Sequence, residues 1–259
     1  MRADQARATA MTGLLLSEWT KLRSVRSTYL TLGLTVFISV VGGAAIAASV
    51  GAAVKDGQWH GVYDPTAASF FALPIAQLAL AVGGILTASS EYSTGTIRSS
   101  LVAVPRRGRF LAAKATVYTL VTLAVGEVTA FCCFFAAQPL LARNAAHATL
   151  GQPHVARAVV GTGIDLALIG LLGLALGALL RRVAPAIAVI VLLLFIPSQM
   201  TAALPAWLQK YLPTLAGAQV SNVIPAPDTL SAWAGLGLMA AFTAAVLIGA
   251  LIRLFATDA

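Results

Sequence analysis

Two carboxylates stand inside otherwise apolar stretches of this 259-residue chain: Glu127, and Asp165 at the end of Gly161-Thr162-Gly163-Ile164-Asp165. An ionisable group in hydrocarbon is costly unless it faces protein or water. Each therefore reads in one of two ways: as lining of a translocation path or subunit interface, or as a structural group bonded to a neighbouring helix through Gln77 or Gln138. A third reading, an intramembrane aspartyl protease, would need a Gly-x-Gly-Asp setting and a second aspartate. Ile164 adds one residue, which turns the carboxylate by about 100°, and Asp64 falls in a connection, so an intramembrane enzyme is a minor alternative. His60, His147 and His154 also fall in connections, and no metal set is assigned. The adjacent Cys132 and Cys133 cannot staple distant segments and read as small apolar fillers. The phosphate-cradling G-x-x-x-x-G-K-[ST] loop, the G-x-S-x-G elbow and the H-E-x-x-H zinc pair are missing from the sequence. We therefore assign no catalytic, cofactor-binding or metal residue, and expect no enzyme.

The elements that must position these groups are apolar runs. With 59% hydrophobic and 10% charged residues and a mean hydropathy of +0.87, the chain has too little polar surface for a water-soluble globule. The expected fold is all-α and integral to the membrane. A hydrocarbon core of about 30 Å takes about 20 helical residues, and six runs fit, at about 30–54, 69–89, 115–137, 158–180, 183–203 and 231–252. Residues 1–11 read as a flexible N-terminus, 12–29 as an amphipathic interface helix, and 30–259 as one six-helix transmembrane domain. The net charge of +8 would suggest nucleic acid in a soluble protein. Here the basic residues sit at the ends of apolar runs, where anionic lipid attracts them, so nucleic acid is not an expected partner and membrane lipid is. All of the 17 Lys and Arg fall on one face except Lys55, Arg143, Arg157 and Lys210. That bias places both termini in the cytoplasm.

Three stretches outside the spans carry pattern. Before the first span, Leu15, Trp19, Leu22, Val25 and Tyr29 recur at helical spacing opposite Ser17, Lys21, Ser24 and Thr28, which predicts a helix lying flat on the inner leaflet with Trp19, Lys21 and Leu22 at the interface. The connection from Glu91 to Lys114 is too long for a simple turn and should have structure of its own. Between the fifth and sixth spans, Pro197, Pro205, Pro213, Pro225 and Pro227 interrupt the chain. There, Leu204, Trp207, Leu208, Tyr211 and Leu212 suit short helices dipping into the outer interface. Within the spans, Gly173 with Gly177 and Ala79 with Gly83 permit close helix approach.

The stretches SEWTKLRSVRSTY, EYSTGTIRSSLVAVPRRGRFLAAK and KYLPTLAGAQV resemble those of the six-span permease subunits of type-2 ATP-binding cassette transporters, in particular an actinobacterial-like branch. The resemblance covers nearly the whole chain. It implies a membrane-surface helix before the first span, a coupling helix between spans two and three, and short external helices before the last. Glu91, Gly95, Thr96, Arg98, Pro105, Arg107, Arg109 and Lys114 match the family's order of residues in the connection, and Glu91, Gly95, Thr96 and Arg98 are the implied contacts to the ATPase. The implied function is that of an exporter permease for a hydrophobic or amphipathic substrate (a drug, lipid or natural product) in a bacterial cell membrane. It would pair with a similar or identical chain. ATP and Mg2+ would bind a separate cytosolic ATPase subunit and no cofactor would bind this chain. The alternative from another class is a non-transporting membrane anchor or regulatory subunit.

Overall fold

Backbone amides and carbonyls that cannot reach water must bond within their own segment, so long runs of Ala, Leu, Ile and Val in lipid become helices. The computed structural model describes residues 2–24, 26–60, 62–93, 107–200, 204–225 and 227–257, and over these it is helical, with no strand. In chain order come α1 (Arg2–Ser24), α2 (Arg26–Lys55), the single turn α3 (Pro65–Ala68) and α4 (Leu73–Ser93). There follow α5 (Arg107–Leu141), α6 (Val155–Leu180) and α7 (Val183–Gln199). The short α8 (Ala206–Gln209) and α9 (Pro213–Ala218) precede α10 (Ala232–Thr257). Helices α2, α4, α5, α6 and α10 are each long and apolar enough to cross a membrane, and the architecture is that of a helical membrane protein. At 17 residues, α7 is apolar but shorter than these.

The N-terminal boundary differs from the one expected. Helix already runs from Arg2 through α1 and is described again from Arg26, with residue 25 outside the described residues. The residues ahead of position 12 are rich in Ala, Arg, Gln and Met, strong helix formers without Gly or Pro, so nothing local stops the helix. In α1 the inward stripe is Met11, Leu14, Leu15, Glu18 and Leu22, while Trp19 is 47% exposed. The expected apolar face is therefore rotated, and a charged residue occupies its most buried position.

Helix α6 is the centre of the bundle. Of the residues in its most apolar window 72% are buried, against 22% to 44% in the four other long helices. Its glycines set the spacing to α4. A Cβ on Gly173 would overlap the backbone of Ala81, and one on Gly177 would lie 2.8 Å from the Ile85 carbonyl oxygen. Only the absence of side chains lets the two backbones approach this closely. The Ser89 hydroxyl also donates to the Gly177 carbonyl at 3.2 Å, and Tyr118 of α5 donates to the Leu80 carbonyl at 2.6 Å. The turn from α6 into α7 is made by Arg181 and Arg182. Arg181 takes the left-handed conformation (φ 58°), and its N–H closes α6 on the Gly177 carbonyl.

The proline-broken stretch is not confined to the surface. Trp207 and Tyr211 are exposed, but Thr214, Ala216, Gly217 and Val220 are buried. Pro213 starts α9 at its first position, where the missing N–H costs nothing, and α9 then packs beside α6 and α10.

Candidate functional site

The densest charge arrangement joins three helices at one end of the bundle. Glu18 and Lys21 lie one turn apart on α1, Glu91 is near the C-terminus of α4, and Lys114 is in the second turn of α5. Lys114 Nζ donates to Glu18 Oε2 at 2.6 Å and to Glu91 Oε1 at 3.0 Å. Lys21 Nζ donates to Glu18 Oε1 at 2.7 Å and to Glu91 Oε1 at 2.9 Å. The buried Phe110 ring faces both ammonium groups, at 5.5 Å from Lys21 and 5.4 Å from Lys114.

The four formal charges cancel, and each lysine reaches both glutamates. Glu18, Glu91 and Lys114 are buried while Lys21 is half-exposed. A buried ion pair is weak support for stability as a whole, yet removing one partner strands the other and costs about 3–5 kcal/mol. The cluster is therefore a clasp that resists separation of α1, α4 and α5. The Lys21 ammonium titrates above the ordinary lysine value of 10.5. Burial alone would lower it, and the hydrogen bonds and charges of Glu18 and Glu91 outweigh that effect. At the same end, Arg181 stacks on Tyr92 at 5.0 Å and donates to the Arg253 carbonyl at 3.2 Å, while Arg253 donates to the Leu179 carbonyl.

The opposite end is braced without ion pairs among the described residues. Asp64 caps α3, its Oδ1 accepting from the Thr66 and Ala67 amides, and its Oδ2 accepts from the Val223 and Ile224 amides at 2.6 Å and 2.9 Å. Gln138 of α5 donates to the Pro65 carbonyl and the Ser69 hydroxyl, both at 2.8 Å, and accepts from the Ala148 amide at 2.6 Å. Arg157 donates to the Asn222 carbonyl at 2.8 Å. Burial, and then the Asp64 charge, push the neighbouring Tyr63 phenol above its ordinary value.

The two carboxylates within long apolar helices have different surroundings. Asp165 of α6 is 3% exposed, and its Oδ2 accepts from Gln77 of α4 at 3.4 Å. Its Oδ1 lies against Gly217 without a hydrogen-bond partner among the described residues. Asp64 is committed to four backbone amides at the end of the bundle and forms no carboxylate dyad with Asp165. Glu127 of α5 is half-exposed, and its carboxylate rests on Gly163 of α6, where a Cβ would clash with it. Gln77 is thus the partner of Asp165, whereas Gln138 serves neither carboxylate.

Of the residues expected to contact an ATPase, the structure places Glu91 in the clasp. Gly95, Thr96 and Arg98, with Pro105 and Arg106, lie outside the described residues. Lys21 belongs to the clasp, Leu22 packs on the core formed by α4, α5, α6 and α10, and Trp19 faces outward. The residue that sequence reasoning missed is Glu18; its signal was a carboxylate on the same helical stripe as Leu15 and Leu22. Cys132 and Cys133 are free. No group of three metal-ligating side chains forms among the described residues. Comparison with protein-family models and with curated proteins found no match to the chain.

Proposed function

We propose that this chain is the membrane-spanning permease subunit of an ATP-driven exporter of the type-2 ATP-binding cassette kind. In this reading α2, α4, α5, α6, α7 and α10 are the six spans, with both termini cytoplasmic in a bacterial cell membrane. Helix α1 lies on the inner leaflet. The segment 94–106, with Gly95, Thr96 and Arg98, carries the coupling contact to a separate ATPase that binds ATP and Mg2+. Helices α8 and α9 belong to the external cap, and two permease chains, identical or similar, enclose a path for a hydrophobic or amphipathic substrate.

The observation that carries the reading is the clasp. Glu91 and Lys114 flank the segment 94–106 in sequence, and the same ion cluster holds α1 to both. Any displacement imposed on that segment by ATP-driven closure of a partner then reaches α1, α4 and α5 together, because separating them breaks buried ion pairs. The test is to purify the chain from native membranes and assay for a bound protein carrying the G-x-x-x-x-G-K-[ST] loop, then measure ATP hydrolysis after reconstitution. Expected are co-purification and a hydrolysis rate that falls when Glu91→Gln or Arg98→Ala is introduced into a chain that remains folded. If no such ATPase associates, or association and hydrolysis ignore both changes, the reading fails.

A further inference from the structure

A cavity of about 260 Å³ lies where the start of α4, the middle of α6, the end of α7 and the α9 segment meet. That is far more room than the ~10–15 Å³ one water needs. Its walls combine the rings of Phe70, Phe71 and Phe195 with Gln77, Thr162 and Asp165. Among the described residues that line it, Asp165 is the only ionisable one. Its carboxylate is buried, holds one long hydrogen bond from Gln77, and leaves Oδ1 unpartnered among the described residues.

The hydroxyls decide what chemistry fits. Thr162 donates to the Ala158 carbonyl, Ser198 to Phe195, Thr214 to Leu193 and Ser221 to Ala218, all at 2.7–2.8 Å. For Thr162, Thr214 and Ser221 the hydroxyl hydrogen is thus spent on backbone, and what these side chains still present is lone pairs. With a carboxylate, three such oxygens and no basic residue among the described residues of its lining, the cavity repels anions and welcomes hydrogen-bond donors. Three aromatic rings beside them suit a cation with an apolar body, through apolar contact and cation–π attraction.

We propose that this cavity binds a protonated lipophilic amine, its ammonium on Asp165 and its apolar body against Phe70, Phe71 and Phe195. The proposal stands apart from ATP-driven transport, since binding can be read on the purified chain alone. The experiment uses the full chain in phosphatidylcholine nanodiscs and a photoactivatable primary amine, 4-benzoylbenzylamine, alongside its uncharged N-acetyl form. After irradiation, labelled peptides are mapped by mass spectrometry. The amine should label residues 67–77 or 194–222, and labelling should fall by about tenfold or more in Asp165→Asn, the equivalent of one charge-assisted hydrogen bond. The N-acetyl form should label wild type no better than the amine labels the variant. Ala218→Phe, at an exposed lining position, should also suppress labelling while leaving Asp165 in place. Equal labelling by both probes would overturn the proposal. So would labelling that survives either substitution in a chain whose thermal unfolding matches wild type.

Discussion

The two ends of the bundle solve the same problem by different means. At one end side chains are held by other side chains of opposite charge, Glu18, Lys21, Glu91 and Lys114, across three helices. At the other end single side chains hold backbone: Asp64 on the 223–224 amides, Gln138 on Pro65 and Ala148, Arg157 on Asn222. A side-chain ion cluster couples whole helices and fails abruptly when one charge is lost. Side chain to backbone bonds fix the path of a loop and fail one bond at a time. The first suits an end through which motion is transmitted, the second an end that keeps irregular chain in a fixed course.

The largest test of this contrast is Lys114→Met, which leaves two buried glutamates sharing the single half-exposed cation Lys21, and that uncompensated buried charge should destabilise the chain by about 3–5 kcal/mol. Glu91→Gln added to it should return part of that loss, read from denaturant unfolding in detergent. If the double change costs more than the single one, the cluster is not coupled. Next is Asp64→Ala, which leaves the Val223 and Ile224 amides unpaired, at a cost of about 1–3 kcal/mol. Hydrogen exchange should rise at those two amides and around α3, with α1 unaffected. Exchange spreading to α1 would mean that the ends are not independent.

A smaller effect follows from Lys21. Its folded-state value is raised, so its contribution is complete below 10.5 and is lost as pH climbs through the higher folded value. Thermal stability should therefore drop more as pH rises above 10.5 in wild type than in Lys21→Gln, while Asp64→Ala keeps the wild-type alkaline drop. The smallest effect is expected at His154, which begins α6 in the left-handed conformation (φ 67°) without a side-chain cap. His154→Gly relieves that conformation but frees the unfolded chain, and should alter stability by less than about 1 kcal/mol.

Five long apolar helices were legible because a bilayer demands length and apolarity, and Val155–Leu180 and Ala232–Thr257 begin or end within a few residues of where hydropathy put them. The approach of Gly173 and Gly177 was legible as permission for contact, but not as contact with Ala81 and Ile85, because small residues are frequent in every span. Glu91 and Lys114 stood out as polar residues at the ends of apolar runs. Glu18 did not, because a surface helix ordinarily turns its carboxylates to water and nothing local announces a buried lysine 96 residues away. The capping role of Asp64 was readable in principle, since Asp followed by Pro is a helix-start signal. Its second grip, on Val223 and Ile224, depends on a chain that returns 159 residues later.

The 96 residues between Glu18 and Lys114 give the clasp a history as well as a place. At about 5–20 residues per second of synthesis, Glu18 leaves the ribosome several seconds before Lys114 exists. Lys21, three residues along the same helix, is the one cation of the cluster present from the start. The Glu18–Lys21 pair is thus a provisional contact, made on a newborn helix that must stay in reach of water. Lys114 completes the cluster only after the third long helix has begun, so biogenesis itself sets the order in which α1 is locked.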